Sequence, residues 1–156
     1  MNGKRILLGG LLAGVLINVG EAILNAGILL DEYEAMMATY GLTEASWAMV
    51  GYPIGAFVFG FAVAWLYAAI RPRFGAGWMT GARAGLLLFI VGYLVPGSWF
   101  GAMGLLPSTG SLVLGVVWAL AECVAAGVLA GWLYKEDEGA VPATVEHAAA
   151  PVAGAP

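Results

Sequence analysis

The chain has 156 residues, 62% of them hydrophobic and 10% charged, with a mean hydropathy of +0.90. A soluble domain carries about 25% charged residues, so this composition excludes an ordinary soluble fold and assigns most of the chain to lipid or to other apolar helices. A formal charge of −4 and six dispersed basic residues exclude a nucleic-acid surface, and a single cysteine, Cys123, excludes both an intrachain disulfide and a cysteine-based metal site.

Lys4-Arg5 followed by an apolar run resembles the start of a secretory signal, but the run continues to Leu30 and no small-residue cleavage site follows it. We read a retained first span over 6–30. The connection from Asp31 to Ala45 carries Asp31, Glu32, Glu34 and Glu44, with Tyr33, Met36, Met37 and Tyr40 on one helical face. Either the first helix continues past the membrane and ends at Gly41, or a separate helix lies along the interface.

The second span covers 47–70 and is followed by a basic turn, Arg71-Pro72-Arg73-Phe74-Gly75. The third covers 77–95, and Pro96-Gly97 is expected to end or kink it. An uncharged connection with a turn-like Pro107 to Ser111 leads to the fourth span, 112–134. Each span has about the 20 residues needed to cross some 30 Å of hydrocarbon. The fold class is therefore an all-α membrane protein, a four-helix bundle over residues 1–135. The end of the chain, 136–156, is acidic and then Ala/Pro-rich, and reads as a disordered tail.

Lys4, Arg5, Arg71, Arg73, Arg83 and Lys135 all fall on one side of these spans. By the positive-inside rule that side is cytoplasmic, so the chain is expected in a bacterial cytoplasmic membrane with both termini in the cytoplasm. Trp65, Tyr67, Trp78, Trp132 and Tyr134 would form an aromatic belt at the inner interface, with Trp99 and Phe100 at the outer one.

Small residues recur at every fourth position: Gly10, Gly14, Asn18, Ala22; Ala56, Gly60, Ala64, Ala68; Gly77, Gly81, Gly85; Gly115, Ala119, Cys123, Gly127, Gly131. Such faces let helix backbones approach closely, within one subunit or between subunits. Ala84-Gly85-Leu86-Leu87-Leu88 echoes Ala13-Gly14-Val15-Leu16-Ile17, and Trp132-Leu133-Tyr134 echoes Trp65-Leu66-Tyr67. Two related hairpins would give this, although shared membrane composition is enough to explain it.

Few polar residues lie within the spans. Asn18, Glu21 and Asn25 share one face of the first, Arg83 lies about 10 Å into the third, and Glu122 is near the middle of the fourth. A charge at the bilayer centre costs roughly 2.5–3.5 kcal/mol, so such groups turn inward and find partners. Matching depths predict an Arg83–Glu122 pair beside an Asn18/Glu21/Asn25 cluster. Glu21 and Glu122 are either a proton or cation site or hydrogen-bonding groups that fix helix register.

No catalytic constellation is present. The only histidine, His147, lies in the tail, so no haem, zinc or Ser/His/Asp site is expected in the spans, and no cofactor is called for. Cys123 occupies a packing position, and Met36-Met37 reads as an apolar contact.

The opening Lys4-Arg5-Ile6-Leu7-Leu8-Gly9-Gly10, Asn18-x-x-Glu21, the stretch from Trp65 to Gly75, and Glu122 before Gly131-Trp132-Leu133-Tyr134 resemble small four-helix integral membrane proteins of bacteria of unknown function. The resemblance implies a fold and no activity. Small multidrug-resistance transporters are similar in having four helices and a glutamate in the first, but the six-to-none basic asymmetry here differs from the dual insertion many of them use.

The expected function is that of a non-enzymatic accessory or structural subunit, with lipid and other membrane helices as partners and no nucleic acid. The alternative is a small proton- or cation-coupled transporter using Glu21 and Glu122. The topology has a direct check. A cysteine at Thr43 should be labelled by an impermeant maleimide from outside intact cells, and one at Gly75 only after permeabilisation.

Overall fold

Without water in the bilayer core, each backbone N–H and C=O must bond within its own segment, and this chain meets that demand with helices. The computed structural model describes residues 1–105 and 108–136. Helix α1 (Gly3–Glu21) runs into a π-helical stretch (Ala22–Ile28), and α2 (Leu30–Tyr40) follows after a break at Leu29. Next come α3 (Ala48–Phe74) and α4 (Trp78–Phe89), the latter passing through a second π stretch (Ile90–Leu94) into α5 (Val95–Ala102), and finally α6 (Thr109–Leu133). Four continuous segments, Gly3–Ile28, Ala48–Phe74, Trp78–Ala102 and Thr109–Leu133, are long and apolar enough to cross a membrane.

The ends are capped as the sequence dictates. The Asn2 side chain accepts the Arg5 N–H at 3.2 Å, and Ser108 does the same for Ser111 at the start of α6. Gly41 ends α2 with φ 61°, a left-handed conformation that favours glycine. Of the two outcomes expected at Pro96-Gly97, an end or a kink, the structure excludes the end, since the third span continues past Pro96. Its missing N–H and bulky ring disrupt a helix interior, but the π stretch rearranges the backbone bonding just before it, and Pro96 enters in the first turn of α5. The helix therefore runs on to Ala102.

Glycine decides how the helices meet. A Cβ added to Gly60 of α3 would collide with the Gly10 carbonyl oxygen and the backbone N and Cα of Gly14 on α1. One added to Gly127 of α6 would collide with the same three atom types of Gly81 and Gly85 on α4. The ladders are thus consumed largely inside one chain, in two backbone-to-backbone contacts, α1 with α3 and α4 with α6.

Seen from Gly60 and Gly127 the two contacts match atom for atom, and they fall on the echoed sequences. Seen from the other helix they differ, Gly10 and Gly14 meeting the rings of Phe61 and Phe57 where Gly81 and Gly85 meet the backbone of Gly127 and Cys123. Gly14 and Gly85 hold the same place, as do Ala13 and Ala84, both fully buried. The match extends to the tyrosines. The Tyr67 hydroxyl accepts the backbone N–H of Gly77, the residue that opens α4. The Tyr134 hydroxyl accepts the backbone N–H of Asn2, the residue that opens α1. Each hairpin therefore reaches the start of the other, and the two rings meet edge-on with centroids 5.7 Å apart. The chain is built from two hairpins of like construction, and shared composition alone does not produce matched contacts.

This corrects the aromatic belt. Tyr67 and Tyr134 are buried at the junction of the hairpins, while Trp65, Trp78 and Trp132 remain exposed. The termini end of the bundle is closed further by Arg71, which bonds Glu136 and lies over the Tyr134 ring at 5.6 Å. His147 and the sequence read as a disordered tail beyond Glu136 lie outside the described residues.

Replacing Gly60 or Gly127 with leucine should separate a helix pair and cost about 1–3 kcal/mol or more. Leucine at Gly115, where a Cβ meets nothing within 4 Å, should stay within about 0.5 kcal/mol. Unfolding of the purified protein in mixed micelles measures both.

Candidate functional site

Glu122 lies on α6 with 6% of its surface exposed, and neither carboxyl oxygen meets full hydrogen-bond geometry, although the Glu21 carboxyl and the Trp118 indole lie close enough to interact with it. It occupies space that exists because residue 20 is glycine: a Cβ there would overlap the Glu122 carboxyl. The indole Nε1 of Trp118 lies by the same spot, 3.5 Å from that Cβ position, and is also buried outside full hydrogen-bond geometry. Trp118 precedes Glu122 by one turn of α6, which brings the indole and the carboxyl to the same face.

Glu21, next to Gly20, is close enough to Glu122 for the two carboxyl groups to act on one another electrostatically. Its own oxygens are partnered. Oε1 accepts the Tyr93 hydroxyl at 2.9 Å, and Oε2 accepts the Asn25 amide at 2.6 Å. Tyr93 comes from the second π stretch and stacks on Phe59 of α3, with centroids 5.8 Å apart. The site thus gathers Glu21 and Asn25 from the first span, Tyr93 from the third, and Trp118 and Glu122 from the fourth.

Asn18 is on the expected helix but serves another purpose. Its amide donates to the Gly14 carbonyl at 2.9 Å and to the Pro53 carbonyl at 3.3 Å, tying α1 to α3. The Arg83–Glu122 pair is not formed. The Arg83 guanidinium lies 5.0 Å over the Phe74 ring on an exposed side chain, and Glu122 receives no hydrogen bond from it. The two residues have similar depth, but Arg83 faces the other way around α4. Cys123 is fully buried, with its backbone against Gly85, as a packing residue.

Sequence reasoning missed Gly20, Tyr93 and Trp118 as site residues. A signal existed for Gly20: Ala13, Ile17, Gly20 and Leu24 follow helical core spacing, and the other three are buried. Nothing comparable marked Tyr93, whose role depends on how α4 and its π stretch meet α1.

The repeat gives the site a control within the same molecule. In ungapped register, Gly14 with Gly85 puts Glu21 opposite Gly92, and Trp65 with Trp132 puts Gly55 opposite Glu122. Each of the two acids therefore has a glycine as its counterpart in the other half of the chain. Gly92 lies against the Phe59 ring and Gly55 against open space. Joining the hairpins does not require acids.

Compared with models of protein families, with curated proteins and with solved structures, the chain finds no match. Among the described residues, no group of three or more His, Cys, Asp or Glu side chains could hold a metal ion.

At the α2 end, outside the spanning segments, Glu32 accepts the Ser108 N–H at 2.9 Å and the Ser111 hydroxyl. These bonds hold its carboxyl below the ordinary glutamate value. The same environment works the other way on Tyr33, whose hydroxyl donates to Glu44 at 2.8 Å and is pushed upward. A carboxyl lowered in the folded state stabilises above its unfolded value and loses that contribution as pH falls through the folded one. The tie between α2 and α6 should therefore hold at pH 7 and open only as pH falls below the ordinary glutamate range, through the lowered Glu32 value. The Ser108 amide resonance should report this, and Glu32→Gln should remove the pH dependence.

Proposed function

We propose that the chain is a small non-enzymatic membrane protein that binds and passes a proton or small cation through the Glu21–Glu122 pair. The observation that carries this reading is the Glu122 carboxyl, buried in an apolar helix beside a second carboxyl, Glu21, with no cationic side chain paired to it and neither oxygen in full hydrogen-bond geometry. A bare carboxylate in such a place is costly, so the group calls for a proton or a cation as its partner. The glycines at the related positions argue against a purely register-fixing role. Asn25 and Tyr93 hold the Glu21 carboxyl in place beside Glu122.

In this reading the termini face the cytoplasm of a bacterial cell, following the basic residues, and α2 faces outward. The Arg71–Glu136 tie and the paired tyrosines close the inner end, and access is from the α2 end. Proton flux into liposomes holding the purified protein, driven by a potassium diffusion potential, tests it. Glu122→Gln and Glu21→Gln should each lower the flux at least about tenfold, the scale of losing an essential proton carrier. Arg83→Gln should leave it near the parent level. Equal flux in all variants would sink the proposal.

An accessory role is favoured by a different observation. Gly27, Gly55 and Gly115 offer open space outward, where a helix of another subunit could approach closely. Under that reading a stoichiometric partner co-purifies, and Gly115→Leu, not Glu122→Gln, releases it.

A further inference from the structure

A cavity of about 400 Å³ opens at the α2 end of the bundle, between α2, α5 and the start of α6. Ligand pockets for drug-sized molecules fall at about 300–1,000 Å³, with apolar walls and a few placed polar groups. Here Tyr33, Tyr40 and Phe100 supply aromatic surface, and Gly97 leaves one wall open. The polar groups are Asn25, Ser111 and Glu32, the last a carboxylate held in place by the Ser108 N–H and the Ser111 hydroxyl and so able to act on a ligand through its charge. Asn25 connects the cavity to the site below it, since its amide is bonded to the Glu21 carboxylate. The tyrosine hydroxyls are engaged, Tyr33 with Glu44 and Tyr40 with the Gly104 carbonyl at 2.7 Å.

The sign of the charge narrows the ligand. Glu32 lines the cavity, Glu44 bonds the Tyr33 hydroxyl at its wall, Asp31 and Glu34 are exposed on the same helix as Glu32, and the sequence has no lysine or arginine in 6–70 or 84–134. Anions, including the phosphate of a lipid headgroup, meet an unscreened negative field. A hydrated inorganic ion gains nothing from aromatic and aliphatic walls. A cation with apolar substituents gains from the acids, from the ring faces and from desolvating its own surface.

We propose that this cavity is a binding site for a monovalent organic cation with aromatic or alkyl substituents. The proposal deepens the carboxyl-pair reading and rests on it only for the step after binding, the hand-over toward Glu21. Binding itself depends on the cavity.

The test uses the full chain in nanodiscs, with tetraphenylphosphonium as probe and tetraphenylborate as an anion of the same shape, each corrected with empty discs. Saturable binding of one phosphonium per chain is expected, with the borate at least about tenfold weaker, as opposite charge in an acidic apolar site requires. Glu32→Gln should weaken phosphonium binding by about tenfold. Gly97→Leu and Met36→Trp, which fill the cavity from different walls, should abolish it, with thermal unfolding confirming that each variant is folded. Equal binding of the two probes, purely non-saturable partition, or undiminished binding in both folded filling variants would overturn the proposal. Glu122→Gln separates the two readings. Retained phosphonium binding with unaltered proton flux removes the carboxyl-pair function and leaves this site standing. Normal dependence of flux on Glu122 without phosphonium binding does the reverse.

Discussion

Close contact between glycine backbones is the constraint on which this molecule depends. In lipid there is no hydrophobic gain from bringing helices together, so association has to come from dispersion at short range and from polar bonds. Gly60 against Gly10 and Gly14, and Gly127 against Gly81 and Gly85, bring the backbones within reach of one another. Everything else is built around those two contacts. They fix which faces of α1 and α6 turn toward each other, and hence that Gly20 lies under the Glu122 carboxyl. They also bring the two tyrosines to the hairpin junction, where each satisfies a backbone N–H at the start of a helix that has no partner in its own segment.

The polar site stands out because it departs from this plan. Where the two halves agree, they agree in small residues and in the atoms those residues touch. Where they differ, Glu21 and Glu122 have glycines, Gly92 and Gly55, as their counterparts. A buried carboxyl with no cationic partner is among the most expensive groups a spanning helix can retain. Its presence in only one of the two related halves sets it apart from the scaffold.

Much of this was legible in the residues. Length and hydropathy located four spans, and Gly41 marked the end of α2. The scarcity of polar side chains drew attention to Glu21, Asn25 and Glu122. Direction around a helix was harder to read. Depth along the membrane follows from counting, but azimuth depends on which helices touch, and Arg83 was misplaced for that reason. Tyr67 and Tyr134 misled because a tyrosine near a span end satisfies the interface pattern as well as it fills a buried junction. Pro96 misled because a π stretch absorbed the disruption that a proline ordinarily causes. The A-G and W-L-Y echoes were visible, yet only the matched glycine contacts distinguish a repeat from common composition.

The covalent turn between the hairpins, Gly75 to Gly77, has a consequence for what the molecule can contain. Two identical hairpins assembling as a symmetric dimer would have to carry any acid twice, once in each equivalent interface. Joined in one chain, the halves are free to diverge, and a carboxyl can be introduced on one side while its counterpart stays glycine. Linkage thus halves the number of acids held in the hydrocarbon. It also gives the molecule a polar side and an inert side, a handedness about its own pseudo-axis that a symmetric assembly could not have.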